Sequence, residues 1–490
     1  MKMSDNHFER NNNRRTGSLR FVSGLIALMM VCAMALTGCG GIIGGNTDPT
    51  DQTAESTQPV QTQPAPTETE APYETEPETE PETEPTEPPL VAETGRATIA
   101  VTGDVISHIP VINAGYRDGG YNYDSFFTYI KPYVTEADFA VINLETTLAG
   151  TENGDKYSGY PKFNCPDAMV DAMKNAGFDM LLTANNHSND TGSYGFNRTQ
   201  EVIADRGLLN LGTMTSAEDP KYRVQDINGI KVGMVCYTYG VIDGSTGQKA
   251  VNGLPIRMEL TNCINVFDYD RLDRFYSEME SIVAQMNEEG AEALVLFIHW
   301  GNEYRLSQNS YQTTIAQKMC DLGVDVIVGG HPHVIEPVEL LTSTVDPQQK
   351  TVCVYSVGNV ISNQRAQNMN LDTGHTEDGM LFSFTFVEYE DGAVFLDGVE
   401  ILPTWVYIRY GATASYDVLP LDKNVEDWGA ALEIGETILR SANRSYDRTI
   451  ELVGPGMEQI GQYLSESREA RAEVYEIPED TQPETEAAEQ

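Results

Sequence analysis

Four of the seven histidines in this 490-residue chain, His187, His299, His331 and His333, stand just after short apolar runs, and Asp104 and Glu145 occupy the same kind of position. Asn186, directly before His187, adds an amide oxygen. Imidazole nitrogens mixed with carboxylate and amide oxygens suit borderline divalent cations, and the set holds more donors than one tetrahedral ion uses. Two ions fit it better. A carboxylate can bridge a pair about 3.5–4 Å apart, and such a pair activates water while neutralising a leaving oxygen. Manganese, iron and zinc are equally compatible with these donors. Singly, each residue has a plainer reading: Asp104 a turn residue after Gly103, Glu145 a cap or ion-pair partner, Asn186 and His187 a bonded loop pair, His331-Pro332-His333 a structural turn, His299 a strand-end imidazole. Their shared position after apolar runs is what argues for a common centre.

Such a centre needs a scaffold that delivers several distant loops to one place. The apolar runs 97–101, 139–142, 180–182, 293–298, 324–328 and 352–357 each end in a polar or glycine-rich elbow, which reads as strand followed by loop. Helical spacing intervenes at 167–176, 272–286 and 309–322. Alternating strands and helices predict an α/β fold, in which ligands gather at the loops beyond the strand ends. After Asp378 the pattern changes: runs 380–389 and 393–401 around Glu390-Asp391-Gly392 predict a hairpin, and 426–442 and 451–466 predict helices without a chemical motif. Cys165, Cys236, Cys263, Cys320 and Cys353 lack Cys-x-x-Cys spacing and are expected as core residues rather than a disulfide or zinc frame.

The ends of the chain are of another kind. Arg14, Arg15 and Arg20 precede the apolar run 21–36, which closes on Leu36-Thr37-Gly38-Cys39. Basic, apolar and cleavage regions in that order predict a lipoprotein signal over 1–38, with lipid on the Cys39 thiol, in preference to a plain N-terminal anchor. The expected address is the extracellular face of the bacterial cytoplasmic membrane, with that membrane as a partner through the lipid. Residues 39–95, rich in Pro, Thr and Glu, predict a disordered acidic stalk, and 476–490 a similar tail. Between them we expect a domain over 96–365 and a C-terminal extension over 366–475. The formal net charge of −43 argues against nucleic acid as a partner, since phosphate binding relies on basic patches. An anionic substrate would need local compensation, for instance by metal ions.

Gly103-Asp104, Asn143-Leu144-Glu145, Ala184-Asn185-Asn186-His187-Ser188-Asn189-Asp190, His299-Trp300-Gly301 and Gly330-His331-Pro332-His333, in that order, resemble the CapA family of capsule and poly-γ-glutamate synthesis proteins. The likeness continues through Tyr355-Ser356-Val357-Gly358-Asn359 and covers about residues 96–365. It implies kinship with the calcineurin-like metallophosphatases, and hence an α/β, metallophosphatase-like sandwich of two mixed sheets flanked by helices, here with a C-terminal extension. It further implies that Asp104 and His333 hold one ion, that Asn186, His299 and His331 hold a second, and that Glu145 bridges them. His187 would stand unliganded as general acid, with Asp190 orienting its ring. Apart from the resemblance, Glu303 and Arg305 in the loop after His299, and Asn359 after Gly358, are read equally as lining the same cleft or as closing loops.

The phosphatase pattern is broken in two places. Ile106 stands where Asp-x-His requires histidine, and Glu145 replaces the bridging aspartate, so the resemblance speaks for a scaffold more than for phosphoester cleavage. His108, at a different spacing, is the less favoured reading as a replacement for the missing histidine. The implied partner is an anionic capsule polymer of poly-γ-glutamate type, or the machinery that makes it. Two roles follow: a metal-dependent hydrolase or transferase, or a non-catalytic factor that binds, exports or anchors the polymer.

Overall fold

Apolar residues at alternate positions make a strand of Glu93–Val105 (β1) and give it two buried faces: Ala97, Ile99 and Val101 enter one core, Ala100 and Val105 another. In this computed structural model residues 90–477 are described, except 370, 372, 412, 423–428 and 431. The expected signal peptide, Cys39, most of the stalk and the tail beyond 477 lie outside the described residues. Phe139–Leu144 (β2), Met180–Leu182 (β3) and Leu209–Leu211 (β4) follow β1 in parallel across the sheet. Every residue of β2 is buried, as expected of a parallel strand covered on both faces.

A second sheet is built from Tyr222–Ile227 (β5), Ile230–Tyr239 (β6), Val266–Phe267 (β7), Ala293–His299 (β8), Val326–Gly330 (β9), Val338–Thr342 (β10) and Lys350–Val354 (β11). Its seven strands run in the order β7-β6-β8-β9-β11-β10, with β5 paired to β6. The pairs from β7 to β11 are parallel, and β5 and β10 are antiparallel to their neighbours. The chain then returns to the first sheet. Asn359–Ile361 (β12) pairs in parallel with the end of β1, and Asp378–Tyr389 (β13), Val394–Arg409 (β14) and Ser415–Pro420 (β15) add antiparallel strands beyond it. The eight-stranded order is β15-β14-β13-β1-β2-β3-β4, with β12 off that path.

The two mixed sheets face each other across one core, to which the first contributes Ile99, Val101, Val141, Phe382 and Phe384 and the second Val232, Met234, Val295, Phe297 and Val328. Each such side chain contributes about 1.5–3 kcal/mol by leaving water. Helices cover the outer faces. Ala168–Ala176 (α1) buries Met169, Val170 and Met173 on the first sheet. Leu272–Glu288 (α2) and Ser310–Asp321 (α3) bury Phe275, Met279, Ile315 and Met319 on the second. The architecture is thus an α/β sandwich of two mixed sheets flanked by helices. The five cysteines named above are buried and free. No helix among the described residues is long and apolar enough to cross a membrane.

Residues 366–475 extend the sequence but not the fold: β13 pairs directly with β1 over most of its length. The hairpin forms as expected, turning through Glu390–Gly392. The two helices expected after it form differently, as one 36-residue helix, Glu436–Arg471 (α4), that runs through Pro455. It packs on both β14 and β10, joining the sheets at one side, and buries Val453, Ile460 and Leu464 in the core between them. Arg468 and Arg471 both bind the Asp397 carboxylate of β14, and Arg448 binds Asp378 of β13. Where α4 crosses β10 its backbone comes so close that a Cβ on Gly456 would lie 1.8 Å from the Val338 carbonyl oxygen. A glycine with no neighbour is Gly461, one turn on.

Two stability measurements follow. In urea unfolding, Gly456→Ala should cost about 1–3 kcal/mol by pushing α4 off β10, whereas Gly461→Ala should stabilise by about 0.5–1 kcal/mol; equal effects would contradict this docking. The second concerns Glu336, fully buried, whose Oε2 accepts from Gln312 Nε2 on α3 (2.6 Å) and whose Oε1 has no partner. Burial, opposed by that hydrogen bond, pushes its carboxyl up to about 8, from an ordinary 4.5. The folded chain therefore keeps a proton that the unfolded chain releases. This contribution to stability is complete below the ordinary value, falls as pH rises between the two by up to about 1.4 kcal/mol per unit, and is gone above them. Glu336→Gln should flatten that decline between pH 5 and 9 in chelator-treated protein; an unchanged slope would contradict the assignment.

Candidate metal centre

The parallel strands of both sheets deliver their C-terminal ends to one place. At the end of β1 the register shifts between Thr102 and Asp104 against β2, a bulge that re-aims Asp104. Gly103 is required there, since a Cβ would lie 1.9 Å from the Gly358 carbonyl oxygen. Glu145 follows β2 directly. The loop after β3 is tied down by Asn185, whose Nδ2 donates to Asn143 Oδ1 (3.1 Å) and Leu144 O (2.9 Å), and by the Ser188 hydroxyl on Thr183 O. His299 is the last residue of β8. Beyond β9, His331 and His333 both have positive φ, 97° and 58°. Such backbone is costly for residues with a Cβ and clusters where geometry is imposed for function.

Asp104 organises this corner. Its Oδ1 accepts from Asn143 Nδ2 at 2.7 Å, while Oδ2 meets His333 Nδ1 at 3.1 Å and accepts from the His331 N–H at 3.3 Å. His299 Nε2 lies 3.0 Å from Asn186 Oδ1. Glu145 stands between the two groups, with Oε1 3.5 Å from His299 Nε2 and 3.8 Å from His333 Nε2. Both Glu145 oxygens and His331 Nδ1 are buried without a hydrogen-bond partner. Ligand atoms of Asp104, Glu145 and His333 fall within 4.8 Å of one another, as do those of Glu145, His299 and His331, so Glu145 belongs to both sets. His187 Nδ1 is 2.8 Å from Asp190 Oδ2, which also accepts from the Phe163 N–H (2.6 Å), and the Phe163 ring packs edge-on against the imidazole at 4.6 Å.

Burial dominates the electrostatics. It pushes Glu145 well above the ordinary carboxyl value, reinforced by the charge of Asp104. It brings His299 down to about 4 and drives His331 well below its usual value, aided by its histidine neighbours. Asp104 and His333 go the other way: burial opposes their charges, but their mutual contact favours both, helped at Asp104 by His299 and Asn143 and at His333 by Glu145, so Asp104 is lowered and His333 raised. The protein alone thus favours the charged forms of Asp104 and His333 and the uncharged forms of Glu145, His299 and His331. Neutral imidazoles and a carboxyl that gives up its proton to a cation are what metal binding needs. With the orphaned oxygens of Glu145, the donor set fits divalent ions, and Asp104, Glu145, Asn186, His299, His331 and His333 are the residues that could hold them.

The remaining expected residues separate. Glu303 is exposed and joins His331 and His333 in a third set within 4.8 Å; Arg305 is exposed on the same loop. Asn359 does not line an open cleft. It is fully buried, and its Nδ2 donates to His333 O, Gln364 Oε1 and Thr376 O, bracing the backbone under His333. His108 stays out of the three sets: its Nδ1 accepts from the Asn363 N–H at 3.4 Å and its ring packs edge-on against Phe163. Sequence reasoning missed Tyr239, at the end of β6, which stacks parallel to His299 and packs on His331 at 4.7 Å. It missed Tyr304 too, which lies 6.1 Å from the His333 ring. Tyr239 carried a faint signal, a polar-tipped aromatic closing an apolar run, but nothing marks which strand neighbours β8.

Comparison with known proteins bears on the whole arrangement. The family described as bacterial capsule synthesis protein PGA_cap matches residues 98–364. The PGA biosynthesis protein CapA of Bacillus subtilis (strain 168) is 28% identical over 246 residues, which are 49% of this chain and 57% of that protein. The capsule biosynthesis protein CapA of Bacillus anthracis is 27% identical over 275 residues, 56% of this chain and 61% of its own. The chain thus spans under two thirds of the length of either relative. Solved structures align more loosely. A candidate 5'-nucleotidase from Staphylococcus aureus covers 69% of this chain and 58% of its own at a TM-score of 0.36 and 13% identity. The Haemophilus influenzae NAD nucleotidase covers 76% and 68% at 0.35 and 10%. Overlap that partial extends to neither activity nor ligand. The match over residues 98–364 takes in more than half of the sequence and all the residues of the centre, and the chain belongs to the bacterial capsule synthesis protein PGA_cap family.

Proposed function

We propose that this protein is a cell-surface lipoprotein acting in the synthesis, export or anchoring of an anionic, poly-γ-glutamate-like capsule polymer, through a two-metal hydrolase or transferase site. The observation that carries the site is Glu145, sealed from solvent with neither oxygen hydrogen-bonded, between two groups of buried ligands. Asp104 and His333 would hold one ion and Asn186, His299 and His331 the other, with Glu145 shared. Family membership and the names of the two relatives support the polymer. The net charge of −43 sets a condition on this partner, since holding a polyanion would call for bound cations. Lipidation at Cys39, attachment to the extracellular face of the cytoplasmic membrane and the acidic stalk belong to the same proposal.

Ions bound there supply a Lewis acid for the scissile group and water acidic enough to attack near neutral pH. The chain's own residues do the rest. An ionised Asp190 accepts from His187 Nδ1–H, so a His187 that also carries a proton on Nε2 would pass that second proton to the departing group and return to the neutral ring, still held on Nδ1. The Phe163 N–H fixes Asp190, and the Phe163 ring limits rotation of the imidazole. Asp104, held on one side by Asn143, keeps His333 in a single orientation.

The full chain should carry two divalent ions by elemental analysis, and Glu145→Gln should lose both. With manganese or zinc it should cleave a γ-glutamyl polymer, and His187→Ala should lower turnover by roughly 10²–10⁴-fold while metal content stays unchanged. Metal-dependent polymer binding without cleavage would replace catalysis with a binding or export role. A wild-type chain that takes up no metal would overturn the proposal.

A further inference from the structure

The loop that follows β8 is fastened to the loop that follows β9 on both sides of one residue. Trp300 N–H donates to Gly330 O (3.0 Å) and Tyr304 N–H donates to Pro332 O (2.8 Å), so residues 300–304 and 330–332 run as a pinned pair. The buried Trp300 indole N–H is tied to Tyr355 O at 2.9 Å, and the Gly301 N–H to the Tyr269 hydroxyl at 2.9 Å. At the far end Tyr304 sits at φ 62°, and its hydroxyl accepts from Gln364 Nε2 at 3.2 Å. A loop held in strained backbone by contacts at both ends positions what lies between. Between the pins at Trp300 and Tyr304 lie Gly301, Asn302 and Glu303, the last the one carboxylate of the three.

Glu303 is exposed, yet one of its oxygens lies within 4.8 Å of a ring nitrogen of His331 and of His333, both almost wholly buried. Those two histidines are assigned above to different ions. Glu145 reaches the same pair of sites from inside the protein. We infer that Glu303 is a third carboxylate ligand of the centre, approaching it from the solvent side. The inference rests on the two-metal reading of the site. It makes the centre asymmetric: Asp104 and Glu145 are buried, while Glu303 is the carboxylate of the centre that water or a solute can reach, so it governs how tightly the centre keeps an ion.

Titration of manganese into the chelator-stripped full chain, followed calorimetrically and by the Mn²⁺ paramagnetic resonance signal, tests this. Wild type should bind two ions. Glu303→Gln and Glu303→Ala should still fold, with unfolding temperatures of the stripped chains unchanged, but should bind one ion more weakly by roughly tenfold or more, a loss that even outer-sphere partners can produce. Glu303→Asp should recover part of it. Two ions bound equally well by wild type and both neutral variants would overturn the inference and leave the centre standing. Absence of manganese from wild type itself would overturn the centre, and this inference with it.

Discussion

Glu145 is a carboxyl group with no route to water and no donor on either oxygen. Leaving such a group buried and ionised costs several kcal/mol, and the cheapest response available to the protein alone is to hold a proton there. Asp104 next to it cannot do the same, because His333 and Asn143 stabilise its charge. The pair is therefore frustrated in the absence of cations: burial first, and the charge of Asp104 second, push Glu145 toward its neutral form, while Asp104 is held toward its charged one. Glu145, His299 and His331 would hold a divalent cation in place of that proton, since burial already favours the neutral imidazoles such binding needs.

The surrounding fold is arranged to maintain that frustration. Parallel strands in two facing sheets end together, so residues more than two hundred positions apart converge without any long excursion of the chain. The bulge at Gly103, the left-handed backbone at His331 and His333, and the Asn185 and Asn359 braces each fix one ligand-bearing segment. None would persist without the packed core behind it. The C-terminal strands and α4 serve this core: they complete the first sheet beside β1 and bridge to β10, the strand that follows the His331–His333 loop.

Much of this was legible in the sequence because the informative signals were local. Met180–Leu182 is the strand expected, and the other apolar runs differ from the observed strands mainly at their ends. The polar residues after them do converge, since a strand's end is where its side chains leave the core. What was hidden was non-local. That β13 pairs with β1, bringing β13, β14 and β15 into the main sheet, depends on a partner nearly three hundred residues away. The continuity of α4 through Pro455 depends on packing against β10 and β14, which outweighs the helix-breaking tendency of Gly454-Pro455-Gly456. Asn359 was expected at the cleft because it follows a strand-like run, but it is the buried brace beneath His333. Tyr239 and the reach of Glu303 depend on which loops become neighbours, which no spacing encodes.

Anomalous diffraction from manganese-soaked crystals tests the central claim most directly. Two anomalous peaks should appear, one on each side of the Glu145 carboxylate, with Asp104 and His333 at one and His299 and His331 at the other. A single peak, or peaks that leave both Glu145 oxygens uncoordinated, would contradict the account.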